Sequence, residues 1–180
     1  GTPLAFWISN KMLNIFKNGS SIDKYGKARQ GIATADNNRF LRFWYEVDIN
    51  KENLNFISVT DSKKSTKKWF PYNKGGAYRK WYGNNSYVIN WENDGFEIKT
   101  FVDNKGKLKS RPQNLNFIFK KGITWSDITS GNISFRSKNN GSIFDITGMS
   151  YFVDNQKYYN YILGLLNTNI IRYITKIVNP

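Results

Sequence analysis

Between Lys63 and Asn85 the chain interleaves seven cationic side chains with six aromatic rings, a glycine pair and several amides, and carries no carboxylate. Lys and Arg neutralise phosphates, rings stack on bases, and amides hydrogen-bond to base edges. Gly75-Gly76 permits a sharp turn or a close backbone approach. A solvated charge run does not usually carry this many Trp and Tyr, so the segment points to a nucleic-acid partner. Against this stands a structural reading in which Trp69, Phe70, Trp81 and Tyr82 belong to the core and the lysines reach outward. Taken together, Trp69 and Trp81 are expected to be partly buried anchors. Lys68, Asn73, Lys74, Tyr78, Arg79, Lys80 and Asn84 are expected on the ligand side, with Lys63, Lys64 and Lys67 adding to the phosphate field.

Three further groups could carry chemistry. Ser110-Arg111-Pro112-Gln113-Asn114 sets a guanidinium and two amides in a proline-stiffened segment. Arg reads guanine and Gln or Asn reads adenine by paired hydrogen bonds, which makes Arg111 and Gln113 base-edge candidates, with Arg136 beside them. Residues 31–40 form a small-residue loop in which backbone N–H groups, Thr34, Asn37 and Arg39 could hold a phosphate; a turn capped by Asp36 or Asn37 is the structural alternative. The loop lacks the lysine-serine ending of a Walker loop and the glycines of a dinucleotide fingerprint. Among the acids, Glu46 and Asp48 on one expected strand, or Glu92 and Asp94 near a turn, could hold Mg²⁺ for a nuclease. Acids that merely keep a strand end soluble are commoner, and Asn93-Asp94-Gly95 reads as a hairpin turn.

The chain has 180 residues, a net charge of +14 and a pI of about 9.9. Such a field favours a polyanionic partner. With 17% aromatic residues it is expected to fold, as a single domain over 1–180. Absence of both Cys and His excludes disulfides, thiolate or imidazole metal sites, and any His-dependent catalytic triad. No metal, no membrane partner and no cofactor are expected for this chain, and no signal peptide is seen, which implies a cytoplasmic location. It begins at Gly1 rather than Met, as expected of a domain cut from a longer protein.

Positioning falls to elements read from periodicity. Residues 3–17 pattern as an amphipathic helix with Leu4, Trp7, Ile8, Leu13 and Phe16 on one face; residues 26–39 read as a loop. Strands are expected at 43–47, 54–59, 86–91, 96–102, 115–119, 133–136 and 142–146. The basic-aromatic segment reads as a long loop with a helical turn near 78–82. Residues 156–178 pattern as one long helix with Ile162, Leu165, Leu166, Ile170, Tyr173, Ile174 and Ile177 in a stripe, capped by Asp154 or Asn155. The sum is an α+β fold: a mixed, mostly antiparallel β-sheet flanked by an N-terminal and a long C-terminal helix.

Several strings carry a family resemblance. Arg29-Gln30-Gly31-Ile32-Ala33-Thr34-Ala35-Asp36-Asn37-Asn38-Arg39-Phe40, Lys68-Trp69-Phe70-Pro71-Tyr72-Asn73-Lys74-Gly75-Gly76 and Arg79-Lys80-Trp81-Tyr82-Gly83-Asn84-Asn85 resemble the C-terminal part of large bacterial adenine-specific DNA methyltransferases. These are the PglX-type enzymes of BREX phage-defence systems and the related type IIG restriction-modification proteins. Asn90-Trp91-Glu92-Asn93-Asp94-Gly95, Ser110-Arg111-Pro112-Gln113-Asn114, Gly122-Ile123-Thr124-Trp125-Ser126 and Leu163-Gly164-Leu165-Leu166-Asn167 continue the likeness in order. The resemblance implies a target recognition domain similar to the specificity subunits of type I restriction systems. It implies double-stranded DNA as partner, beside the upstream methyltransferase domain of the same parent. S-adenosylmethionine binding and N6-adenine methylation would be done by that domain, since the catalytic Asn-Pro-Pro-Tyr/Phe motif and the glycine-rich cofactor motif are absent here. The family's Thr-Gly-Asp is Thr34-Ala35-Asp36 in this chain. The alternative to DNA recognition is a protein-interaction module docking other defence-system subunits or an acidic inhibitor.

Overall fold

A computed structural model describes residues 8–54, 58–127 and 131–178. The first helix, α1 (Asn10–Asn18), starts at Ser9, whose hydroxyl accepts from Met12 N. There follow β1 (Gly26–Arg29), a single helical turn α2 (Asn37–Phe40) and β2 (Leu41–Phe43). Next come α3 (Val59–Lys64), β3 (Trp69–Asn73), β4 (Tyr87–Asn90) and α4 (Glu92–Lys99). The second half supplies β5 (Gly122–Thr124), β6 (Arg136–Lys138), β7 (Ile143–Phe144) and β8 (Ser150–Val153), then α5 (Tyr159–Leu166) and α6 (Asn169–Val178).

The fold is α+β with mostly antiparallel strands, as expected, but the strands form two four-stranded sheets rather than one. The first runs β1-β8-β5-β6 and is antiparallel throughout; the second runs β2-β4-β3-β7, with only β3 and β7 parallel. Strand β8 ties the two halves together. Because successive strand side chains point to opposite faces, Tyr151 and Val153 enter a cluster with Ile123, Tyr159 and Ile162, while Phe152 enters the other with Phe70, Ile89, Trp91 and Phe144. All four residues of β8 are therefore buried.

Local chemistry overrides several expected elements. Residues 26–39 are not all loop: Gly26–Arg29 pairs with β8 through backbone alone, without an alternating apolar pattern to announce it. The strand expected at 43–47 ends at Phe43, where the Glu46 carboxylate accepts from Phe43 N and closes a 3-10 turn. Of the strand expected at 54–59, residues 55–57 lie outside the described residues, and Val59 opens α3 behind a Ser58/Asp61 capping box. The expected 96–102 strand is helical instead. Asn93, Asp94 and Gly95 all take positive φ (52°, 58° and 72°) and reverse the chain into a helical turn. Leu115–Phe117 is a 3-10 turn, and no helical turn forms at 78–82.

The long C-terminal helix is interrupted. Asn167 turns its amide to accept from Phe135 N and donate to Phe135 O and Leu163 O, and Thr168 Oγ1 accepts from Ile171 N to start α6. Burial follows the break: Ile162 and Ile177 are buried, whereas Ile170 and Tyr173 are exposed. Helix α1 buries no residue, and Leu13 and Phe16 lie exposed; the expected contributions of Leu4 and Trp7 lie outside the described residues.

Candidate nucleic-acid interface

The segment from Lys74 to Asn85 leaves the end of β3 and returns into β4, and buried groups clamp its root. Gly75 and Gly76 take φ of 87° and 129°, which favour glycine, and turn the chain over Ser126. The Ser126 hydroxyl accepts from Gly76 N (3.0 Å) and donates to Gly76 O (2.7 Å). Thr147 Oγ1 bonds Lys74 O at 3.0 Å and lies 2.6 Å from the Asp145 carboxylate, which also accepts from the buried Tyr72 hydroxyl. Burial in this network, with the Asp145 charge adjacent, pushes the Tyr72 phenol well above its ordinary pKa.

Arg136, expected at a base edge, is instead 0% exposed. Its guanidinium donates to Arg79 O, Ser134 Oγ and Ser126 Oγ, and burial pushes its pKa below the usual value. It is a correction to the sequence reading: Arg136 holds the loop from beneath. Trp81 reverses its expectation in the other direction. Its backbone is fixed to β6 by Trp81 N to Phe135 O (3.0 Å) and Ser137 N to Trp81 O (2.8 Å), yet the residue is 53% exposed and sits at φ 71°. A non-glycine residue held at positive φ is unusual enough to draw attention to its role. Tyr78 and Tyr82 are likewise exposed, and Arg79 is exposed with its stem lying along Gly83. Three rings and a guanidinium thus stand out from a loop whose backbone is pinned.

Below the loop the surface continues across Tyr87. On one side Tyr87 borders a hollow with Asn37, Asn38, Arg42 and Lys74; on the other it borders a cleft with Asn73, Tyr82, Asn85, Asn139 and Asn140. Tyr87 is braced by Phe43, stacked at 4.8 Å, and Phe43 by Tyr45 at 5.3 Å; the Lys74 ammonium lies 5.9 Å from the Tyr87 ring centre. Sequence reasoning missed Arg42, Tyr87, Asn139 and Asn140. Tyr87 read only as a strand residue and Asn139-Asn140-Gly141 only as a turn, so no local signal marked them.

The remaining expected site residues divide between surface and framework. Lys68 is half-buried and pairs with Glu92 at 3.4 Å, and Trp69 is half-buried, as expected of an anchor. Lys80 is drawn inward: its ammonium donates to Asn167 O at 2.8 Å, at the end of α5. Asn84 closes its own loop by donating to Ala77 O, and Asn73 is buried at the end of β3. Gln113 donates to Gly31 O, and Arg111 exchanges both backbone hydrogen bonds with Ala33. The 110–114 and 31–40 strings are therefore stitched together, with the Arg111 side chain left exposed. Gly31 is required there, because a Cβ would lie 1.8 Å from Phe144 O. In the phosphate-loop candidate, Thr34 is buried and donates to Asn37 Oδ1, while Arg39 is engaged by Glu97 and lies over Phe101. Asp36 caps α2, so this stretch is built as a capped turn.

The acids are likewise committed. Glu46 and Asp48 do not share a strand face, since each caps a 3-10 turn; Asp94 accepts from Lys99 and Ser62. Among the described residues no three acidic side chains gather into a metal-ligating cluster, and no helix is long and apolar enough to cross a membrane.

Fold and surface together define an α+β module with a clamped cationic and aromatic face. No protein-family model matches the chain. Over its whole length it is 40% identical, across 182 residues, to the adenine-specific methyltransferase PglX of Lacticaseibacillus casei (strain Zhang), of which it covers 15%. It is 34% identical, across 184 residues, to the adenine-specific methyltransferase BrxX of Escherichia coli O9:H4 (strain HS), of which it covers 14%. The resemblance to PglX-type proteins is thus borne out: the chain is similar over its whole length to one region of these proteins and spans about one seventh of their length.

Proposed function

We propose that this chain is the target recognition region of a site-specific N6-adenine DNA methyltransferase of BREX or restriction-modification type. It binds double-stranded DNA and directs chemistry that the rest of the parent performs with S-adenosylmethionine in the bacterial cytoplasm. The observation that carries the reading is the loop at 74–85. It projects Tyr78, Arg79, Trp81 and Tyr82 from a backbone fixed by Ser126, Arg136 and β6. Rigid presentation of rings and cations limits the ordering cost of binding a stiff polyanion. Lys74 and the lysines at 63 and 64 supply phosphate contacts; Arg79 and Arg111, which have no carboxylate partner among the described residues, reach base edges. The test is an anisotropy titration of the full chain against random and family-methylated duplexes. Arg79→Ala is expected to weaken specific binding by ~1–3 kcal/mol and relax one base position. An unchanged affinity for every duplex would overturn the assignment of Arg79.

The protein-docking reading is favoured by a separate observation at the other end of the chain. Helix α1 buries nothing and exposes Leu13, Ile15 and Phe16, a face suited to another part of the parent. It is compatible with DNA binding through the loop.

A further inference from the structure

The cleft below the basic-aromatic loop holds an amide with an unmet hydrogen bond. Asn73 is 2% exposed and lines the cleft; its Oδ1 accepts from Thr124 Oγ1 at 3.0 Å, while its Nδ2 has no partner among the described residues. Rotating the amide by half a turn does not remove the deficit. Thr124 Oγ1 also bonds Met149 O at 2.9 Å, so it could accept from a turned Nδ2, and Oδ1 would then be the unpartnered end. A buried polar atom without a partner costs roughly 1–3 kcal/mol, so native sites with one have a reason for it. The rest of the lining says what kind of partner is missing. Tyr82 and Tyr87 supply aromatic rings, and Asn85, Asn139 and Asn140 supply donors and acceptors, with no carboxylate among the lining residues. The cleft measures about 240 Å³, below the ~300 Å³ at which pockets for larger organic ligands begin, so it admits one planar ring system.

We propose that this cleft receives a single unstacked nucleobase of the bound DNA, held against Tyr82 and Tyr87 and hydrogen-bonded by Asn73. The inference rests on the DNA-binding reading above and adds a base-binding site to it. Nucleic-acid proteins read extruded bases by ring stacking and hydrogen bonds to the exposed edge, and the energy of unstacking falls when the base is already unpaired. The Lys74 ammonium, 5.9 Å from the Tyr87 ring centre on the side of the neighbouring hollow, offers a cation for the base's own phosphates.

The experiment compares three duplexes bound to the full chain by fluorescence anisotropy: fully paired, carrying one bulged base, and carrying one bulged abasic residue. The expected result is binding about 5-fold or more tighter for the bulged base, with the abasic bulge no better than the paired duplex. Tyr82→Ala, at an exposed position, and Asn73→Asp, which keeps the side-chain shape, are expected to abolish that preference; circular dichroism confirms their folding. Equal affinity for paired and bulged duplexes would overturn the base pocket and leave DNA binding standing. An abasic bulge bound as tightly as the bulged base would do the same, since flexibility alone would then explain the gain. A preference that survives Tyr82→Ala also removes the pocket. No binding to any of the three would instead overturn the DNA-binding reading, and the pocket with it.

Discussion

Lys138 shows how far one residue's role depends on its surroundings. It is 1% exposed, its ammonium donates to Lys120 O, Ser142 O and Ser142 Oγ, and burial brings its pKa down from 10.5 to about 7. Those bonds hold the turn that carries Asn139 and Asn140. Between about pH 7 and 10.5 the unfolded chain keeps a proton that the folded chain has lost, so stability rises with pH through this window. Below about 7 both states are protonated and the contribution is flat. Unfolding free energies from urea titrations between pH 7 and 9 should climb by up to ~1.4 kcal/mol per pH unit and lose that slope in Lys138→Met. Ala35 gives a second prediction at this scale. It takes φ 63°, a conformation that strains any L side chain. Ala35→Gly is expected to raise stability by ~0.5–1 kcal/mol, the relief of strain exceeding the entropy glycine adds to the unfolded chain. A lowered melting temperature would contradict it.

At the scale of elements, the 74–85 loop is held by strands and helices that give little local sign of doing so. The stripe from Ile162 to Ile177 was legible as helix, but its division at Asn167 was not. The residue that stops α5 does so by gripping β6, 32 positions earlier, and by offering its carbonyl to Lys80 on the loop. Asn167→Ala should cost about 1–3 kcal/mol, because Phe135 N loses the amide oxygen it donates to, while Phe135 O keeps only the Trp81 N–H. It should also raise the protease sensitivity of the 76–82 loop. Cleavage unchanged from the parent chain would show that α5 does not brace that loop. Strands β1, β3, β5 and β8 escaped notice for related reasons: Gly26–Arg29 is polar, Pro71 interrupts β3, Gly122–Thr124 is too short for a period-two pattern to register, and Ser150–Val153 is buried on both faces and does not alternate. Tyr87 to Asn90, with an unbroken apolar alternation before a turn, was legible.

For the whole molecule, charge is the property most directly read from composition. Twenty-seven cations face 13 carboxylates, and among the described residues three ion pairs form. Association with duplex DNA should therefore weaken steeply with salt, with a log–log slope near −0.9 for each phosphate neutralised. A flat salt response would remove the electrostatic part of the proposal. The sequence by itself determined the charge, the α+β class and the likeness to PglX-type proteins, since each follows from residue types, local periodicity or ordered strings. Only the tertiary structure decided which of those residues face outward. Trp81 went to the surface because β6 captured its backbone, and Arg136 went inside because three loop and strand oxygens met there. Such choices depend on contacts between residues dozens of positions apart, and no local pattern encodes them.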